Sequence, residues 1–405
     1  MKKLIKVVFI ILLIIIFSAS FSKSYQSLRV DNIAVVVALG IDVSKKDELQ
    51  LSFQFSNASP SSEKGSSNSS SIYLYTLDVP SITSGISLMN TYLEKELSFS
   101  HCKLIAFSEQ FAKNGISNEV YTLINNSQIR PSTNILISKS TAKEYLETVK
   151  PSFENLLSEY YDIYDLSSEF TGYTSDTNIG HFFHSLECEF CQPYAILGGV
   201  TNTKNFSQTT STSSTQGKSG NSGLSSPKSS ESLGISVFNK DKLIGELNGI
   251  ETAICLTTKN DITGFLATLP DPIDSNSFLD IYITPTKNTD VKVNIVNGSP
   301  LIKLNYTFSG RIQSMKSDSK YLDPFVLKNI SDYTNTYLKS IFEDYFYKTS
   351  KEFGTDTTGL SKYAKSNFLT INDAKNFNWN NSYSDAFFDI TVDTNIISSS
   401  LLSET

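Results

Sequence analysis

The chain has 405 residues, with 41 acidic against 34 basic side chains, a formal charge of −7 and a pI near 5.2. That balance excludes a nucleic-acid binder, which would carry a basic stripe, and four cysteines are too few for a scaffold built on disulfides. At roughly 100–200 residues per domain, the length predicts two or three domains.

The first six residues, MKKLIK, carry three lysines and lead into an unbroken apolar run from Val7 to Phe17, followed by Ser18, Ala19 and Ser20. A basic start, an apolar core and a small-residue exit describe a secretory signal. The run is shorter than the ~20 residues a helix needs to cross a bilayer. Counting Leu4, Ile5, Ala19 and Phe21 extends it enough for an uncleaved anchor. Residues 1–23 are therefore read as an export signal, with cleavage and retention both open from these residues alone.

Residues 34–43, AVVVALGIDV, form a continuous valine-rich run, as expected of a strand covered on both faces. ELQLSFQF (48–55) alternates, and YLYTLDV (73–79) is a third strand. Ile82, Ile86, Met89, Leu93 and Leu97 recur at helical spacing. The strand KLIAF (103–107) is followed by helical segments through EQFAKNG and SNEVYTLINN, then the strand TNILISK (133–139). TAKE at Thr141 has the form of a helix capping box. Helix-sized links between strands favour a partly parallel sheet with helices packed on it.

Two tracts hold few large apolar residues, 57–71 and 201–232. The first is read as an exposed hairpin loop, the second as a flexible Ser/Thr/Gly-rich linker between domains. Beyond it, GISVFNKDKLIGELN has the pattern of a hairpin turning at NKDK, and ETAICLTTK extends a small unit. From about Asp280 the pattern becomes alternating strands joined by an Asn-Gly turn at 297–298. A long helix follows from about Pro324, with Leu327, Ile330, Tyr337, Ile341 and Tyr345 on one stripe, and a last alternating strand occupies 387–396. The expected architecture is α+β: an N-terminal domain over 24–200 with a sheet and helices, a small middle domain over 233–275, and a C-terminal domain over 276–400 with an antiparallel sheet packed on the long helix.

One cluster has the residue types of a metal site. HFFHSLECEFC supplies His181, His184, Cys188 and Cys191, two imidazoles and two thiols as zinc prefers. Three readings stand: a structural zinc, a Cys188–Cys191 disulfide that an exported protein permits, and plain side chains packed near a helix end. His101 and Cys102 are adjacent at the entrance to the strand 103–107, where neighbouring side chains point to opposite faces; His101 is expected to be packed and hydrogen-bonded rather than part of a dyad. Asp389 and Asp393 fit a solvated strand face. No nucleophile elbow, phosphate loop or dinucleotide fingerprint occurs, so no catalytic residue and no cofactor is assigned.

Several blocks carry a family resemblance. DNIAVVVALGIDVSKKDELQLSFQFSNAS, LSFSHCKLIAFSEQFAKNGI, RPSTNILISKSTAKEYLE, GISVFNKDKLIGELNGIETAICL and LDPFVLKNI resemble, in this order and spacing, the Ger(x)C family, the C subunits of spore germinant receptors. The resemblance runs from about residue 24 to the C-terminus. It implies a non-catalytic, three-domain α/β protein on the outer face of the spore's inner membrane, assembled with an A-type and a B-type membrane subunit into a receptor that triggers germination. Members usually carry a lipidated cysteine, which here is Ser24, preceded by Lys23 and followed by Tyr25. A serine cannot form the thioether, so no lipidation site carries over, and a leader retained as an anchor is the reading favoured. The competing reading is an exported, membrane-tethered solute-binding or scaffold protein unrelated to sporulation.

Overall fold

The computed structural model describes residue 11 and residues 32–45, 48–56, 72–151, 156–201, 218–219, 229–272, 277–314 and 323–397. The leader, the tract 57–71 and most of 201–232 lie outside the described residues.

The N-terminal sheet is built from β1 (Ile33–Val43), β2 (Leu49–Ser56), β3 (Ile72–Val79), β4 (Glu96–Ser98), β5 (Leu104–Ser108), β6 (Asn134–Ser138), β7 (Tyr194–Val200), β8 (Ser230–Asn239) and β9 (Lys242–Leu247). Its order is β3-β2-β1-β5-β6-β7-β8-β9, with β4 paired to the start of β1. The central strands β1, β5, β6 and β7 are parallel and both margins are antiparallel. Parallel neighbours need crossovers, and helices supply them.

The helices cover both faces of this sheet. On one side α1 (Ile82–Tyr92), α2 (Glu109–Asn114), α3 (Ser117–Ile124) and α7 (Ile179–Glu187) bury Met89, Ala112, Val120 and Phe182 against Leu39, Ile105 and Ile135. On the other, α4 (Ala142–Thr148), α5 (Leu157–Tyr160) and α6 (Ile163–Thr171) bury Leu146, Leu157 and Tyr164 against Val37, Leu104 and Ile196. Thr141 caps α4 as its sequence indicates, its hydroxyl accepting from the Glu144 N–H at 3.0 Å. The next two exposed donors, the N–H groups of Ala142 and Lys143, go to the carboxylate of Asp42 at 2.7 and 2.9 Å, which pins α4 to the end of β1. Burial raises the Asp42 carboxyl above its ordinary range, and these backbone donors oppose that rise.

After β9 come α8 (Gly249–Lys259), β10 (Phe265–Pro270), β11 (Phe278–Pro285), β12 (Asp290–Val296), β13 (Ser299–Ser314), α9 (Pro324–Tyr347), a π-helical turn over Lys348–Glu352, the short helices α10 (Ser361–Ala364), α11 (Ile371–Asn376) and α12 (Trp379–Tyr383), and β14 (Phe387–Ile397). The second sheet packs on α9, whose buried stripe includes Ile330, Leu338, Phe342 and Tyr345, flanked by the partly buried Leu327, Tyr337 and Ile341. The sheet is mixed rather than antiparallel. β11 and β12 run antiparallel to successive lengths of β13, while β14 runs parallel to β13 from Leu301 to Arg311. The long passage through α9 returns the chain in the direction it left, and the alternation of β14 carries no signal of direction.

The small middle domain expected over 233–275 does not stand by itself. β8 and β9 complete the nine-stranded sheet, and β10 opens the five-stranded one. The polar tract before it joins β7 to β8, which are antiparallel neighbours, so it connects two strands of one sheet instead of separating two domains. Ser219 within the tract is buried and donates to the Leu197 carbonyl at 2.6 Å. A polar composition looks the same in a long strand connection and in a linker.

Between the two sheets lies α8, buried on nearly every side. Ile250, Ala253, Ile254 and Cys255 share one apolar cluster with Ile235, Val237 and Leu247 of the first sheet and with Phe265, Leu304 and Phe342 beyond. Its N-terminus is closed by a capping box. Asn248 accepts from the Glu251 N–H at 2.9 Å, and the Glu251 carboxylate accepts from the Asn248 N–H at 2.7 Å. The same carboxylate takes two bonds from the Lys348 ammonium, at 2.8 and 2.7 Å, in a pair that is under one-fifth exposed at each side chain. Glu251→Ala removes a cap and leaves Lys348 unpaired, and is expected to cost about 2–4 kcal/mol; urea unfolding of the full chain at equilibrium measures it.

Candidate functional site

Of the histidines and cysteines of 181–191, His181 lies in the first turn of α7, His184 in its second half, and Cys188 and Cys191 in the turn after it. The Asn178 side chain caps α7, accepting from the His181 N–H at 3.0 Å. His181 and His184 are both exposed. Cys188 and Cys191 are joined as a disulfide, with Cα atoms 5.2 Å apart. A bonded pair of sulfurs cannot act as two thiolate ligands, so the four residues are not brought together as a zinc set. Among the described residues no group of three or more His, Cys, Asp or Glu side chains is placed to hold a metal.

The disulfide turn instead meets the C-terminal half. The Phe190 carbonyl accepts from the Ser361 hydroxyl at 2.5 Å, Lys365 lies 4.4 Å from the Phe190 ring centroid, and Glu189 pairs with Lys375 at 2.7 Å. Ser361 is held in turn by Asp356, a buried carboxylate that also accepts from the Thr358 N–H and hydroxyl and from the Trp379 indole. The sequence shows the C-x-x-C but not this contact, whose partners lie some 170 residues further on.

The remaining chemical candidates are dispersed. His101 is exposed, not packed as expected, and Cys102 beside it is buried. Burial pushes the Cys102 thiol up to about 12, which leaves it protonated and a poor nucleophile. Cys255 is equally buried, with its thiol raised for the same reason. Asp389 pairs with Lys303 at 3.0 Å, and Asp393 is exposed on the same face of β14.

A cleft of about 420 Å³ opens between the N-terminal ends of α1 and α3, lined by Glu48, Ser81, Ile82, Asn118, Glu119 and Thr122 among others. It adjoins a second of about 400 Å³ that shares Ile82 and Thr122. Glu119 is its one unusual group: desolvation raises its carboxyl above the ordinary range, with a further rise from the Asp241 charge. Sequence reasoning missed Glu119, because nothing in SNEVYTLI distinguishes it from a solvated helix carboxylate. The lining of these clefts holds no histidine, cysteine or lysine, and its ionisable side chains are Glu48 and Glu119.

β1 starts at Ile33, paired with Glu96 of β4, and α1 runs back toward that end from its start beside Leu51 and Val79. Its last turn brings the exposed side chains of Leu88 and Tyr92 to the same end of the sheet. Among the described residues no helix is long and apolar enough to cross a membrane.

Comparison with known proteins agrees with this architecture. A model described as the spore germination protein N-terminal domain matches residues 26–197, and one described as spore germination B3/GerAC like, C-terminal, matches residues 233–400. These two matches, one after the other, define a spore germination protein. The chain belongs to the Ger(x)C family of spore germinant receptor subunits. Its fold is shared with a solved structure, the crystal structure of the GerBC protein, at TM-score 0.52 and 17% identity, over 89% of this chain and 96% of that one. No curated protein matches the sequence.

The disulfide closes a small ring, for which loop-closure entropy gives about 2 kcal/mol. Cys188→Ser/Cys191→Ser is expected to lose roughly that much stability on chemical unfolding, and elemental analysis of both proteins is expected to find no stoichiometric zinc.

Proposed function

We propose that this chain is the non-catalytic C subunit of a nutrient germinant receptor, held at the outer face of the spore's inner membrane and assembled there with an A-type and a B-type membrane subunit. The observation that carries the reading is the pair of germination-family matches in order along the chain. The chemistry supports it: both free thiols are buried with raised pKa values, and the histidines lie on the surface. The leader supports it too. Its basic start and apolar run suit export, and with Ser24 in place of a lipidated cysteine the apolar run itself is the anchor. Eleven residues separate Phe21 from Ile33, and at ~3.3–3.6 Å each they reach at most about 40 Å. The start of β1 therefore lies within about 40 Å of the bilayer.

Co-purification from detergent-solubilised spore membranes tests the assembly. The expected result is recovery of both membrane subunits with this chain; a chain recovered alone, in the soluble fraction, contradicts it. Retention of the anchor is checked separately, since a helix-anchored chain is expected to stay in the membrane pellet through an alkaline carbonate wash that strips peripheral proteins.

A further inference from the structure

The helix α6 is apolar on two sides, and the fold accounts for one of them. Its inner side chain Tyr164 is 2% exposed and packs in the second-face core. On the outside Ile163, Leu166 and Phe170 follow at i, i+3 and i+7, which sets them on one stripe. They are 42%, 49% and 69% exposed, and Leu156 just before the helix pair is 36% exposed. Single exposed apolar residues need no explanation, but a stripe of three on one helix marks a contact surface.

The border of the stripe is acidic. Asp165 and Glu169 are exposed on the adjoining turn positions, and Asp162 stands at the head of the helix. Lys103 offsets part of this charge by pairing with Asp162 at 2.7 Å. Asp165 accepts from the Asn134 amide at 3.5 Å, and its carboxyl is raised, first by partial burial and then by the charges of Asp176 and Asp162.

The same contacts locate α6 on the molecule. Lys103 directly precedes β5, Asn134 opens β6, and the Lys103 N–H donates to the Val37 carbonyl near the start of β1. The helix therefore lies across the end of the sheet at which β1 begins. Leu88 and Tyr92 of α1 lie at this end on the opposite face.

We propose that the outer face of α6 is where a basic amphipathic segment of a membrane partner subunit docks, its apolar side on Ile163, Leu166 and Phe170 and its cations beside Asp165 and Glu169. The receptor-subunit reading and one observation select this occupant. On that reading the chain is held at the bilayer, and its partners are chains at the membrane surface. The acidic border attracts a basic peptide and repels an anionic lipid surface. The stripe is roughly 11 Å long at 1.5 Å per residue, the length of about two helical turns of a partner. The proposal rests on the receptor-subunit reading and adds to it the surface of assembly.

The test compares the full chain with two variants, Leu166→Asp/Phe170→Asp and the charge reversal Asp165→Lys/Glu169→Lys, in co-purification with the A-type and B-type subunits. All four side chains are exposed and Asp165 gives up only the long bond from Asn134, so both variants are expected to remain folded, which thermal melting checks. Each is expected to recover roughly tenfold less of at least one membrane subunit, as loss of an interface hot spot does. If the apolar variant does not fold, the charge reversal alone decides. Undiminished recovery with folded variants overturns the docking site and leaves the receptor reading intact; a wild-type chain that recovers neither subunit overturns that reading itself. A third arm uses phosphatidylglycerol vesicles with the purified chain. No α6-dependent binding is expected, and vesicle binding that the apolar variant abolishes and the charge reversal strengthens overturns the proposal in favour of a lipid surface.

Discussion

The structure depends on the carboxylate of Glu251. It closes the first turn of α8 and, through Lys348, ties that turn to the end of α9. A helix buried all round needs such closure, because its first N–H groups have no water to turn to. With α8 seated, residues from both sheets enter a single apolar cluster. The halves of the chain then form one body, joined through the buried helix that connects them.

A second clamp works on the same principle. Asp356 gathers donors from Thr358, Ser361 and Trp379, and so organises the irregular stretch between the π-helical turn and α12. Each of these donors would cost about 1–3 kcal/mol if left buried without a partner. The Ser361 hydroxyl passes the constraint across to the Phe190 carbonyl in the disulfide turn. The C-x-x-C, for which the sequence left zinc, a disulfide and plain packed side chains open, is a disulfide and stiffens the loop that meets this clamp.

Local features of the fold were legible in the sequence, and relations across space were not. The apolar run of β1, the cap at Thr141, the hairpin over Asn239–Lys242 and the helix from Pro324 all follow from short-range pattern, and the structure contains them. α8 was ambiguous because TAICLTT is rich in β-branched residues, which favour strands when context is absent. Tertiary burial makes it a helix, and its threonines bond back to carbonyls four residues earlier. The second capping group of α4, Asp42, is 100 residues away, and no local window can find it. The stripe on α6 was hidden for a related reason. Apolar spacing reveals that a helix has faces, and only the packed neighbours reveal which of them remains open.

The central physical claim is that two sheets built from opposite ends of the chain form one cooperative unit. Trp379, the only tryptophan, is buried in the C-terminal half and bonded to Asp356, so its fluorescence follows that half while far-UV circular dichroism follows both. Equilibrium urea unfolding of the full chain, monitored by the two signals together, is the most direct test. One transition with coincident midpoints is predicted; two transitions, with the Trp379 signal lost at a separate urea concentration, would contradict the account.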